Sequence, residues 1–329
     1  MKKILAMLMA LAMLVACVGC GDAAQNDDPK LPQGGGDKDT FTVGICQLVS
    51  HEALDAATKG FKDVLTEEFG DKVKFIEGNG AGENNTCVTI VNDFVSKDVD
   101  LIMANATGAL QAAANATLEI PILGTSITEY GVALELKDFN GTVGGNISGT
   151  SDLAPLTEQA AMIVELCPNA KKVGLLYCSA EPNSLYQVQV IEQEMAAKNI
   201  ETKRFTFSDT NDVAAVTEAA ANWSDAIYAP TDNKVADCTE TIDSIVRPKK
   251  VPIIAGEEGI CRGCGIVTLS ISYEDLGRKT GEMAVKILKG ESDISEMPVE
   301  YAAAPVKKYN KAICDELGIT PPEGYVAIG

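Results

Sequence analysis

Histidine is almost missing from this chain: its 329 residues include one, His51. A structural zinc site draws on several cysteine and histidine ligands, and a Ser/His/Asp hydrolase needs a histidine base. Both readings must therefore pass through His51, and no Gly-x-Ser-x-Gly elbow accompanies it, since "GNISG" at 145–149 has the wrong spacing. The adjacent Glu257 and Glu258 do not replace such a base as an acid/base pair, because neighbours on an extended chain point to opposite faces. Basic charge is scarce as well: 27 Lys and Arg stand against 47 Asp and Glu, a net charge of −20. A surface so acidic repels nucleic acid, and neither a basic stripe nor a helix-turn-helix pattern offsets it. Long apolar runs are absent beyond the first residues, so no later segment can cross a bilayer as a helix. These absences point away from an enzyme, a metalloprotein and a DNA-binding protein, and call for no cofactor.

The opening "MKKILAMLMALAMLVAC" has two lysines, an apolar stretch and small residues before Cys17, the grammar of a secretory signal rather than a membrane span. "LVAC" resembles the bacterial lipobox, which makes Cys17 the expected lipidated residue and 1–16 the signal peptide. Residues 17–39, rich in Gly, Asp and Pro, are too poor in large apolar side chains to fold and read as a flexible tether. The expected place is the outer face of a bacterial cell membrane, held by lipid. Ten cysteines less a lipidated one leave an odd number, which argues against a fully paired disulfide framework. Cys46, Cys87, Cys178 and Cys238 sit in or beside apolar elements and read as small hydrophobes. "CRGC" at 261–264 reads as loop thiols or a local disulfide rather than a metal site.

From Thr42 short apolar runs alternate with helical patterns. Strands are expected at 42–46, 73–77, 101–104 and 122–125, with helices at 53–69, 86–96 and 109–117. A glycine-rich stretch, "FNGTVGGNISGTSDL" at 139–153, interrupts, and the alternation then restarts: strands at 173–177, 201–206, 226–229 and 253–255, helices at 153–166, 184–198, 212–221 and 234–246. Continuous apolar strands alternating with helices imply a parallel sheet covered on both faces. Built twice, this unit predicts an α/β fold of two lobes joined by hinge strands, with the loops after the strand C-termini facing a shared crevice. One lobe takes 40–148 and about 272–298, the other 149–271 and about 299–329.

The order of "QLVSHEALDAATKGF", "NGAGE", "GGNISGTSDL", "EPNS", "DAIYAPTDN" and "SYEDLGRKTGEMAVKILKGE" resembles the solute-binding lipoproteins of ABC importers of the tryptophan/tyrosine type. The resemblance implies the two-lobe periplasmic-binding-protein fold of type I, a monomeric receptor that closes on an amino acid, and ABC permease subunits as its membrane partner. It further implies an aromatic amino acid: tyrosine, tryptophan or phenylalanine. The chain departs from the family at "SITEYGVA", where Thr-Asp-Pro is usual, and at Cys178–Ser179, where Asn-Pro is frequent. A purine nucleoside or another small solute, or a role as a surface adhesin, stays open beside the amino acid.

The candidate ligand residues lie at the starts of helices. Gln47, Leu48 and His51 end the first strand, with Ser50 available to cap the helix that follows and the resemblance placing His51 in the pocket. Asn79 opens "NGAGEN", which lacks the spacing of a nucleotide-binding loop and reads as a strand-to-helix turn. Thr107, Ser126 and Thr128 supply hydroxyl and backbone donors suited to a carboxylate. Across the crevice, Glu181, Asn183 and Ser184 are the second lobe's counterpart, joined by Thr231 and Asp232. For an amino acid the ammonium partner is expected to be Asp232 first and Glu181 second, while Leu48 or Tyr130 sorts the side chain.

Overall fold

The computed structural model describes residues 40–328. The chain begins with β1 (Phe41–Gln47), α1 (Glu52–Phe69), β2 (Val73–Asn79), α2 (Asn84–Ser96), β3 (Leu101–Asn105), α3 (Thr107–Ala116), β4 (Ile122–Ile127), α4 (Tyr130–Ala133) and β5 (Ile147–Ser151). It continues through α5 (Leu156–Leu166), β6 (Lys172–Cys178), α6 (Pro182–Ala197), β7 (Glu201–Phe207), α7 (Val213–Trp223) and β8 (Ala226–Ala229). Then come α8 (Asn233–Asp237), α9 (Thr239–Val246), β9 (Ile253–Ala255), α10 (Glu258–Gly263) and β10 (Val267–Ser270). The last elements are α11 (Tyr273–Leu288), β11 (Glu300–Tyr301), β12 (Val306–Tyr309), α12 (Lys311–Leu317) and β13 (Val326–Ala327).

Two sheets result. The first runs β11-β5-β4-β3-β1-β2, all parallel; the second runs β13-β12-β10-β9-β8-β6-β7, parallel except where β12 meets β10. Every residue of β3 and β4 is buried, which is why their first residues, Leu101–Ala104 and Ile122–Gly124, carry no polar side chain. On one face of the first sheet Phe61, Leu65, Met283 and Ile287 of α1 and α11 pack against Ile45, Met103 and Leu123. On the other, Val91, Phe94 and Leu110 of α2 and α3 cover Ile102 and Ile122. The second sheet is sandwiched in the same manner, with Ile163, Ile191 and Cys314 on one side and Val213, Ile242 and Ile260 on the other.

The glycine-rich stretch differs from its expected role as a plain connector, because 147–151 forms β5 against β4. Gly149 makes that pairing possible: its φ is +143°, and a Cβ there would fall 2.0 Å from the Gly124 carbonyl oxygen. In place of apolar packing the strand is held by hydroxyls, Thr150 lying 3.2 Å from Thr125 and 2.8 Å from Thr280, whose hydroxyl is 3.0 Å from Thr125.

The chain changes sheet three times, through 152–155, 271–272 and 302–305. The first and third changes each fall three residues after the boundaries read from the sequence, since 149–151 and 300–301 both belong to the first sheet. The helix expected over 234–246 is divided into α8 and α9 at Cys238. The longest helix of the C-terminal third, α11, returns to the first lobe and crosses α1 closely. Gly277 faces the Ala57 carbonyl and Gly60 the Glu274 carbonyl, where a Cβ would stand 1.9 and 2.2 Å away.

Candidate functional site

The strand C-terminal ends of the two sheets face one another. His51 Nε2 lies 3.2 Å from Asn233 Oδ1, Lys234 Nζ 3.6 Å from Glu83, and Arg262 Nε 3.0 Å from Glu52, and α4 of the first lobe packs beside α6 of the second, so the lobes are in contact. Asn233 Oδ1 can only accept, its Nδ2 being given to Glu181, so Nε2–H of His51 is the donor, and burial lowers the His51 pKa. Beside the Lys234–Glu83 contact is a cavity of about 340 Å³, walled by Leu48, Val49 and Glu83 from one lobe and Glu181, Asp209 and Asn233 from the other.

In the first lobe Gln47 is buried, but its amide is spent on α1 and its own loop. It donates to Val49 O at 2.8 Å and to Asp55 Oδ1 at 2.6 Å, and accepts from Thr58 at 2.6 Å. It therefore shapes the 48–51 turn instead of reaching into the crevice. Ser50 does not cap α1 either: its hydroxyl donates to Asp55 at 2.8 Å, and His51 holds the N-cap position without a side-chain bond. Asn79 is exposed and accepts from the Ala81 N–H at 2.8 Å, closing its own turn. Thr107, Ser126 and Thr128 are buried at the ends of β3 and β4. Ala106, which precedes Thr107, has φ +82° and ψ 159°, a region that essentially only glycine visits, and Ser126 has φ +56°. Holding non-glycine residues there costs roughly 1–3 kcal/mol each, and such strain gathers at ligand clamps. Tyr130 is buried with its hydroxyl donating to Gly124 O and Thr150 O, and so packs inside its own lobe.

In the second lobe the carboxylates turn back on the protein. Asp232 Oδ2 accepts from the Cys178 N–H and the Ser184 hydroxyl, both at 2.7 Å, and Oδ1 accepts from the Val235 N–H at 2.9 Å, capping α8. Glu181 accepts from both nitrogens of Asn233, at 3.1 and 2.7 Å, and from the Lys234 N–H at 3.1 Å. Burial, then the nearby Asp232, pushes Glu181 up to about 7. Asn183 donates to Thr231 O at 3.2 Å, and its Oδ1 is buried with no hydrogen-bond partner.

Two residues of importance lie outside the sequence-derived set. Asp152, in the first crossover, is 4 % exposed and accepts from the Tyr273 hydroxyl at 2.9 Å through Oδ2. Tyr273 opens α11 just after the second crossover, so this one bond ties two of the three connections between the lobes. Asp152 Oδ1 and Ser126 Oγ, like Asn183 Oδ1, are buried without partners. The signal for Asp152 was present in "GTSDL", an acidic residue directly after a strand, but the glycine-rich surroundings hid the strand. Among the described residues no three His, Cys, Asp or Glu side chains are grouped to hold a metal ion. Cys261 and Cys264 are free buried thiols on and just after α10, directed at the Gly265 and Ile260 carbonyls.

Two parallel-sheet lobes, linked by three crossovers and meeting at their strand ends over a cavity walled from both sides, define a receptor of the clamp type. The comparison with known proteins is more specific: residues 42–327 match the ABC transporter substrate binding protein family, and the chain belongs to it. It is 34% identical over 306 residues to a tyrosine-binding protein of Clostridioides difficile strain R20291, covering 91% of this chain and 87% of that one. Among solved structures, an ABC domain from Streptococcus pneumonia in complex with L-Trp is 33% identical with a TM-score of 0.83, covering 88% of this chain and 100% of that one. The ligand-free, open structure of a substrate binding protein with adhesive properties from Clostridium difficile is 34% identical, covers 88% of this chain and 99% of that one, and has a TM-score of 0.67. At matched identity and coverage the fit is better to the tryptophan complex, in keeping with the lobe-to-lobe contacts described above.

Proposed function

We propose that this protein is the extracytoplasmic receptor of an ABC importer, capturing an aromatic α-amino acid in the crevice between its lobes and passing it to the permease without chemical change. The observation that carries the reading is the set of buried polar atoms lacking partners: Ser126 Oγ from the first lobe, Asp152 Oδ1 from the crossover and Asn183 Oδ1 from the second lobe. Buried polar groups are nearly always paired; of the seven side-chain atoms without a partner among the described residues, these three lie near the end of β4, in the first crossover and at the start of α6, where the lobes are joined and face one another, which supports a polar ligand held from both lobes. The similarity to a tyrosine-binding protein and to a tryptophan complex supports an aromatic side chain. Cys17, outside the described residues, is the proposed lipid anchor, a role that its Cys17→Ala variant tests by release from the membrane.

Calorimetry and thermal shift with tyrosine, tryptophan, phenylalanine, leucine and a purine nucleoside test the ligand class, with mass spectrometry of the ligand after incubation to check for turnover. Saturable binding of an aromatic amino acid, recovered intact, is expected. Nucleoside heat with no amino-acid heat, or consumption of the ligand, would overturn the reading. Because closure brings both lobes onto the solute, small-angle scattering should show a smaller radius of gyration at saturation.

A further inference from the structure

Four carboxylates are buried among the described residues: Asp152, Glu181, Asp232 and Glu257. Three of them have both oxygens engaged by helix-start donors. Asp232 and Glu181 do so as described, and Glu257 accepts from the Gly259 and Ile260 N–H groups at the start of α10. Asp152 alone keeps an oxygen without a hydrogen bond of good geometry, with the Thr128 hydroxyl as its other near neighbour besides Tyr273. No lysine or arginine is among the buried residues, so the protein offers it no buried cation. A buried carboxylate with a bare oxygen and no counter-charge is costly, and a cationic group brought by a ligand is the chemistry that would relieve it.

We infer that Asp152 Oδ1 is the receptor for the ammonium group of the bound amino acid, with Tyr273 as the residue that positions it. The inference rests on the amino-acid reading above and moves the ammonium partner from the second lobe to the crossover. Tyr273 fixes the carboxylate by donating to Oδ2, which leaves Oδ1 as the open acceptor. Ser151, next in the chain, ties this turn to the end of β4 by donating to Thr128 O at 2.9 Å, so Asp152 stands beside the hydroxyl-rich edge that would take the ligand carboxylate. Thr231 of the second lobe adjoins the Tyr273 hydroxyl, so both crossovers and the second lobe meet at this one phenol. An ammonium seated there links ligand charge directly to the segments that must bend when the lobes close.

The test is calorimetry on wild type, Asp152→Asn and Tyr273→Phe with L-tyrosine and L-tryptophan, and with the same side chains on a propionate that lacks the amino group. Losing a charged partner in a desolvated site predicts that Asp152→Asn weakens the amino acids by about thirtyfold or more. The des-amino acids should keep or gain affinity for this variant, because its amide no longer needs a cation. Tyr273→Phe should show a smaller loss, of roughly three- to tenfold, again confined to the amino acids. Equal losses for both ligand types, or amino-acid affinity within about threefold of wild type in Asp152→Asn, would overturn the assignment. If Asp152→Asn does not fold, Tyr273→Phe decides by the same selectivity. Failure of wild type to bind any amino acid refutes the functional reading itself, a result distinct from binding that ignores Asp152.

Discussion

The Ser184 hydroxyl donates to Asp232 Oδ2 at 2.7 Å, sharing that oxygen with the Cys178 N–H. With Val235 on the other oxygen, Asp232 joins the end of β6, the start of α6 and the start of α8. Asp232→Asn removes the charge behind three hydrogen bonds and turns an amide N–H₂ toward at least one donor. The expected loss is roughly 1–3 kcal/mol of folding stability, read by urea denaturation. Affinity should change by a similar factor for amino acids and their des-amino analogues, since the carboxylate serves the lobe and not the ligand charge. A stable variant that has selectively lost amino acids would contradict this role.

Closure has its own signature. His51 and Asn233 form a bond that exists only while the lobes are together. Removing it with His51→Ala costs the closed form the net worth of a hydrogen bond, about 0.5–1.5 kcal/mol. Apparent affinity falls with the population of the competent state, so the dissociation constant should rise roughly two- to twelvefold for every ligand alike. Calorimetry across the ligand panel measures it, and a ligand-selective effect would place His51 in the binding site instead. The ion pairs Lys234–Glu83 and Arg262–Glu52 are partly exposed and add little by comparison.

The alternating core elements were legible because strands buried on both faces open with apolar runs, as β3 does with Leu101–Ala104 and β4 with Ile122 and Leu123. Strand β5 was not, since it is held by Thr150, Thr125 and Thr280 and by the space that Gly149 leaves, and neither produces an apolar run. The two-residue β11 was equally hidden, because it exists through pairing with β5 about 150 residues away. In the candidate site the sequence places polar residues at strand-end turns but does not set the directions of their side chains. Asp232, Glu181 and Asn79 all lie at the expected turns, yet each bends back to its own backbone. Whether a carboxylate at a helix start faces its own N–H groups or a ligand depends on the rotation of one or two residues, which spacing does not encode.

The contact between α1 and α11 offers a test of the first lobe. A methyl group on Gly277 would stand 1.9 Å from the Ala57 carbonyl oxygen, and that atom is backbone that cannot rotate away. Gly277→Ala must therefore push the helices apart, and overpacking of this kind costs about 1–3 kcal/mol. Chemical denaturation should show that loss; unchanged stability would mean that the helices do not cross so closely in solution.

Glu257 makes the folded protein sensitive to pH in a direction opposite to most carboxylates. Burial pushes it up to about 7 from an ordinary value of 4.5, although two N–H donors at the start of α10 hold it down in part. Between those two values the folded protein retains a proton that the unfolded chain has released. The native state thus binds more protons, and stability must fall as pH rises through this window. The full effect of one such group is on the order of 3 kcal/mol, complete once the pH exceeds about 7. Glu181 is raised in the same direction, but Asp232 shares its surroundings, so Glu257 is the cleaner probe. Carboxylates held below their ordinary value by ion pairs, such as Glu67 beside Arg278, act only at lower pH. His51, lowered by burial, acts in the opposite direction over part of this window, so the Glu257 contribution is read as the difference between wild type and variant in the change of melting temperature from pH 5 to pH 7.5. Glu257→Gln removes one titrating group and should make the slope between those pH values less negative, whatever it does to the absolute melting temperature. An identical slope in the variant would show that Glu257 ionises as freely in the folded protein as in the unfolded chain.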